Sequence, residues 1–131
     1  MTDATQPEEA RVLAANEAFY DAFNTRDLPA MDALWARDVP VACTHPGWAA
    51  VQGRVKVLTT WAAILGNPEQ PRIVAGAAQA FVSGTSAWVL GRELFGGSPL
   101  AATNLFTLEQ GEWRLVHHHS SPVSFLAEDL Q

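Results

Sequence analysis

Apolar positions along the chain keep two rhythms. Up to Leu65 they recur at helical spacing, and from Arg72 onward they fall into strand-like runs. Pro7, Glu8 and Glu9 suit the N-terminus of a first helix, where proline lacks only a donor that would go unused and acids favour the helix dipole. Val12, Asn16, Phe19, Tyr20 and Phe23 then share one face, with Glu17 and Asp21 on the wet side, until Asn24–Thr25–Arg26 breaks the pattern. Asp27 predicts the N-cap of a second helix, with Pro29 in its first turn and Met31, Leu34 and Trp35 as its apolar stripe. Asp38 and Pro40 close it. Val39 to Thr44 reads as a short strand that leads into the loop His45–Pro46–Gly47–Trp48. After Gly53 a third helix places Val57, Leu58, Trp61, Ile64 and Leu65 together, and Gly66–Asn67–Pro68 ends it.

The second half is rich in Val, Phe, Trp and Thr, residues that fit a pleated surface. Four strands are expected, at about Arg72–Val82, Thr85–Phe95, Leu100–Leu108 and Glu112–Val123. Ser83–Gly84, Gly96–Gly97–Ser98–Pro99 and Gln110–Gly111 supply the turns. Short turns between consecutive strands imply an antiparallel meander. Helices first and strands afterwards give an α+β fold: a curved antiparallel β-sheet packed on three N-terminal helices. Three helices cannot fill such a concavity to its mouth, so a central pocket is expected. The uncovered sheet face calls for a second copy, giving a homodimer through the outer face.

Composition narrows the class. With 131 residues the expectation is one domain over 1–131, and no linker or repeat divides it. Hydrophobic residues make up 48% and charged residues 17%, a globular balance. A net charge of −6 with only 8 Lys and Arg argues against nucleic acid, which is bound by neutralising phosphates. Cys43 is the lone cysteine, so neither an intrachain disulfide nor a thiolate zinc cluster is expected. The polar stretch Met1 to Glu9 lacks the basic and apolar segments of a signal peptide, and no window is apolar enough to span a membrane. A cytoplasmic location is the expectation.

Certain residues carry a family pattern. Phe19–Tyr20–Asp21–Ala22–Phe23, Asp27–Leu28 and Met31–Asp32–Ala33–Leu34–Trp35–Ala36–Arg37–Asp38 resemble the opening helical hairpin of SnoaL-like and ketosteroid-isomerase-like proteins of the nuclear transport factor 2 superfamily. His45–Pro46–Gly47–Trp48 with Gln52–Gly53–Arg54 and Trp61 is similar to a stretch of one bacterial branch. So is the ending, Thr103–Asn104–Leu105–Phe106 and Trp113 through Pro122. The kinase II association domain shares a related last strand. The resemblance runs from about Ala10 to Pro122 and implies a cone-shaped α+β fold with a pocket. It does not carry over a steroid isomerase mechanism. His45 stands where that family places its general-base aspartate, Phe19 where it places the oxyanion-hole tyrosine, and Thr103 near the position of the protonated aspartate.

The histidines are the candidate chemistry. His45 lies in the loop, and His117, His118 and His119 lie in the last strand. Two-residue periodicity puts His117 and His119 on the face of Trp113 and Leu115, roughly 6.6 Å apart, and His118 on the other face with Arg114 and Val116. The concave face is assigned to His117 and His119. Three readings stay open. The imidazoles are hydrogen-bonded structural residues, or His45 pairs with His117 or His119 as acid and base, or His117 and His119 chelate a metal completed by His45 or Glu93. The lead expectation is a bound ligand whose polar end is held by His45, His117, His119 and Asn104, with no metal and no cofactor; if the domain is catalytic, His45, His117 and His119 are the acid–base candidates. Tyr20, Trp48, Trp61, Glu93 and Asn104 are the candidate ligand contacts, with Arg92 facing the dimer surface. Cys43 is expected to be a buried small residue.

The sequence therefore supports a small, largely apolar organic ligand, with no nucleic acid and no membrane as partners. If the domain is an enzyme, cofactor-free isomerisation, dehydration or cyclisation is the expected class. The rival is a non-catalytic binding or oligomerisation module.

Overall fold

The computed structural model describes residues 7–124; the ends of the expected 1–131 domain and most of the polar N-terminal stretch lie outside them. The helices are α1 (Glu8–Asn24), α2 (Leu28–Leu34) and α3 (Arg54–Leu65). The strands are β1 (Ala42–Thr44), β2 (Val51–Gln52), β3 (Ile73–Ser83), β4 (Ser86–Phe95), β5 (Ser98–Glu109) and β6 (Glu112–Pro122). Local signals act where expected. Asp27 accepts from the Ala30 amide at 3.1 Å and caps α2, with Pro29 inside its first turn. Gly53 precedes α3 with φ +93°, a left-handed value that a side chain would strain. The Arg54 guanidinium then reaches back to Asp32 O at 2.6 Å and Ala36 O at 3.2 Å, tying α3 to the end of α2.

The sheet is one open layer in the order β2-β1-β6-β5-β4-β3. β3 to β6 form the expected antiparallel meander. The expected purely antiparallel sheet needs correction at one edge. β1 lies parallel to β6, with Cys43 opposite His118, and the two-residue β2 pairs with β1. A parallel pair needs a long crossover, and here most of the chain supplies it. The sheet is therefore mixed.

Helices cover one sheet face. Val12, Phe19, Phe23, Met31, Trp35, Val57 and Trp61 are buried against inward residues Val89, Phe106, Trp113 and Leu115. The asparagine that ends α1 pins the sheet: Asn24 Nδ2 donates to Ile73 O at 2.8 Å and Asn24 Oδ1 accepts from Ile73 N at 2.9 Å. Among the described residues none gives the outer face such cover. Phe81, Trp88, Leu90 and Leu94 are all exposed there, with Phe81 and Trp88 stacked at 5.7 Å. Among the described residues no helix is long and apolar enough to cross a membrane.

Candidate functional site

A bulge in β6 decides which histidine faces the helices. Leu105 pairs with His117 and Phe106 with Leu115, so Val116 is an extra residue without a partner on β5. One extra residue reverses the alternation beyond it. Trp113 and Leu115 point inward, but so do His118 and Ser120, both nearly sealed from solvent. His119 is exposed and His117 half-buried. The assignment of His117 and His119 to the concave face is thus inverted, because unbroken periodicity from Trp113 was assumed. The His117 Nδ1 atom lies 3.0 Å from Ala42 O, and the two outer imidazoles stand 6.0 Å apart. Among the described residues no three His, Cys, Asp or Glu side chains converge as a metal site.

A cavity of about 230 Å³ opens between α1, α3 and the inward face of β4 to β6. His45, Trp48, Trp61 and Glu93 line it, as do His118, which the sequence places on the opposite face, and Ser120, which is not among the sequence's candidates. Tyr20 and Asn104 sit one step behind the wall. Aromatic rings follow one another along one side: Phe95 to Phe23 at 6.4 Å, Phe23 to Trp61 at 6.1 Å, Trp61 to His45 at 4.7 Å and His45 to Trp48 at 4.9 Å. Trp48 is half exposed and marks the mouth.

The polar groups behind this wall form a chain whose directions can be worked out. Tyr20 Oη donates to Glu93 Oε2 at 2.6 Å, and Asn104 Nδ2 donates to Asn16 Oδ1 at 2.7 Å. Asn104 Oδ1 can only accept, so His118 Nδ1, 2.6 Å away, must carry the proton. Burial drives the His118 pKa down to about 3. The ring is neutral, and its Nε2 presents a lone pair. His45 has the opposite tautomer. Thr60 Oγ1 gives its proton to Val57 O at 2.7 Å and so accepts from His45 Nε2 at 2.9 Å. Desolvation lowers the His45 pKa to about 4, and its Nδ1 lies 3.8 Å from Cys43 Sγ. Cys43 is a buried thiol pushed up to about 12 by burial, too high for a nucleophile.

Glu93 is the most unusual group. It is 1% exposed, and burial raises its pKa while the Tyr20 hydroxyl, and after it the neighbouring Ser120 hydroxyl, pull it back. Among the described residues its Oε1 has no hydrogen-bond partner, nor do Ser120 Oγ and Trp61 Nε1. All three residues line the cavity. A pocket with a proton-poised carboxyl, a neutral imidazole with a free lone pair, and a hydroxyl can bind a polar head and move a proton at it. The steroid isomerase positions stay unsuited: Phe19 is buried edge-on against Tyr20 and Trp61, and Thr103 lies on the outer face.

This architecture, a cone of helices and bent sheet around an apolar cavity with buried acid–base groups, is that of the nuclear transport factor 2-like proteins. Residues 12–125 match the SnoaL-like domain, and the chain belongs to that family. It is similar to a provisionally assigned dehydratase of the nuclear transport factor 2-like family from Streptomyces avermitilis, with 30% identity, 88% of this chain and 96% of that one covered, and a TM-score of 0.82. It is also similar to a domain from Thiobacillus denitrificans provisionally assigned as a calcium/calmodulin-dependent protein kinase type II association domain. There the identity is 33%, the coverage 85% and 94%, and the TM-score 0.76. The F-box protein SKIP8 of Arabidopsis thaliana is 27% identical over 122 residues, which are 92% of this chain and 52% of that protein. The chain thus spans about half the length of that relative.

Proposed function

We propose that the chain acts as one small-molecule-binding domain, with Glu93 as the proton-handling group and His118 as the group that orients the ligand in a cofactor-free isomerisation, dehydration or cyclisation. The observation that carries this is the buried Glu93 carboxyl in the wall of the cavity, its Oε1 without a well-formed hydrogen bond although the Ser120 hydroxyl is its neighbour. An unpaired buried polar atom costs about 1–3 kcal/mol, which folding alone gives no reason to retain. His118 Nε2, held neutral, accepts a hydrogen bond from a donor of the ligand and orients it, and Glu93 exchanges a proton with the reacting carbon or oxygen. Asn104 and Tyr20 hold these two groups in register. His45, with Nε2 committed to Thr60, serves as wall. The dehydratase assignment of the Streptomyces relative agrees with this class.

The same reading includes a homodimer through the outer face, where Phe81, Trp88, Leu90 and Leu94 form an apolar surface. A reducing compartment such as the cytoplasm suits the lone Cys43 thiol.

The test is to incubate the protein with the small-molecule fraction of a bacterial extract and follow it by native and untargeted mass spectrometry. Support is a compound retained by the protein and converted to a product of equal mass, or one lighter by water, with conversion lost in Glu93→Gln. Retention without conversion would favour the non-catalytic reading. No retained compound and no conversion would sink the proposal.

A further inference from the structure

We infer that the pocket selects ligands whose polar end is an amine, carried as ammonium, on a compact apolar body. This rests on the proposal that the cavity is a ligand site, and it adds the sign of the ligand's charge. Among the described residues that line the cavity none is Lys or Arg, and residues 1–6 and 125–131 contain none. Its two imidazoles are neutral, each with one nitrogen committed as donor to Asn104 or Thr60. A carboxylate or phosphate entering this space would meet Glu93 and no counter-charge, and burying an unpaired anion is strongly unfavourable.

Cations meet the opposite situation. Glu93 Oε1 lacks a partner and His118 Nε2 is a lone pair, so both accept and neither repels a donor. An ammonium supplies three N–H donors and one positive charge, the complement of that pair. The side wall is aromatic from Phe95 through Phe23 and Trp61 to Trp48 at the mouth, and aromatic faces attract cations. The entering charge also lets Glu93 ionise, which removes the cost of a buried lone carboxylate. A neutral alcohol makes one of these hydrogen bonds and gains none of the charge terms.

Size follows from volume. A cavity of 150 Å³ holds benzene, so by proportion 230 Å³ suits a body of roughly nine non-hydrogen atoms. That is an arylalkylamine or a small alicyclic amine.

The experiment is isothermal titration of the whole chain, near neutral pH, with three probes of matched size: 2-phenylethylamine, 2-phenylethanol and phenylacetate. The amine is expected to bind at least about tenfold more tightly than the alcohol, with phenylacetate weakest. That ratio should collapse toward one in Glu93→Gln and shrink in Trp48→Ala, a substitution at the exposed mouth that does not threaten the core. Equal or tighter binding of the alcohol would overturn the amine assignment and leave the ligand site standing. Tightest binding of phenylacetate would overturn it as well. Binding of none of the three would remove both the assignment and the site.

Discussion

Replacing His118 by glutamine separates the one sealed imidazole of the last strand from its two outer neighbours. Burial holds the His118 pKa at about 3 and that of His45 at about 4, against an ordinary 6.5. As pH falls below 6.5 the unfolded chain takes up both protons and the native chain does not. The stability is therefore complete above pH 6.5 and is lost progressively down to the folded values. Near pH 4.5, two units into that window, each imidazole accounts for a loss of roughly 2.7 kcal/mol at about 1.36 kcal/mol per unit. Together they remove about 5 kcal/mol, comparable with the whole stability of a small domain. Glu93 works in the other direction, because its raised pKa means that the native carboxyl protonates first as pH falls. The half-buried acids Glu8, Asp32 and Glu109, with lowered pKa values, act mainly below about pH 4.5. His117, lowered chiefly by partial burial, adds a further loss in the same window that is common to wild type and variant. Glutamine keeps an N–H donor for Asn104 Oδ1 but cannot be protonated. His118→Gln should therefore lose roughly 2.7 kcal/mol less than wild type between roughly pH 7 and 4.5, with His119→Gln on the outer face as the control. Guanidinium unfolding followed by tryptophan fluorescence at stepped pH measures it. Equal slopes in wild type and His118→Gln, or a flattened slope in His119→Gln, would refute the inward placement of His118.

Glu93→Gln is expected to stabilise the fold at about pH 8, by on the order of 1 kcal/mol, because it removes a buried ionisable group. A midpoint below wild type in the same denaturation series would contradict that. Trp88→Glu, on the uncovered sheet face, should convert a dimer to a folded monomer in sedimentation velocity; a wild-type chain that is monomeric at micromolar concentration would end the dimer proposal.

Much of the fold was legible because its signals are local. Asp27 with Pro29 marks the start of α2, and Gly53 sets the turn before α3. Gly84 and Gly111 sit at positive φ in the hairpin turns between the long strands. What the pattern could not convey was the parallel edge. β1 has three residues, and its choice of β6 depends on where the rest of the chain has brought that strand. The site was legible in part. His45, Trp48, Trp61 and Glu93 line the cavity, with Tyr20 and Asn104 hydrogen-bonded behind them. His118 was missed because the bulge at Val116 leaves no mark in a run of apolar and histidine residues. Ser120 gave a usable signal, a small hydroxyl inside a strand two residues beyond the histidine whose face it shares.

The bulge also explains why three consecutive histidines do not form one cluster. Without it, His117 and His119 would face the helices, and two imidazoles would have to be desolvated beside Trp61 and Phe19. With it, only His118 is buried, and its single committed proton satisfies Asn104, which in turn donates to Asn16. The inner face thus accepts one imidazole at the cost of one bulge, and the remaining two stay on the outer face near Leu105 and Trp88. The side-chain hydrogen bonds through Tyr20, Asn104, Asn16 and His118 hold one another in place behind the wall. Among the described residues four buried side-chain atoms lack a hydrogen-bond partner; three of them, on Glu93, Ser120 and Trp61, belong to residues of the wall, and the fourth, Trp35 Nε1, lies in the core. A merely structural polar network would leave its orphans at random. The gathering of three of the four around one cavity, backed by a hydrogen-bonded chain of side chains, is the arrangement that a preorganised binding site requires.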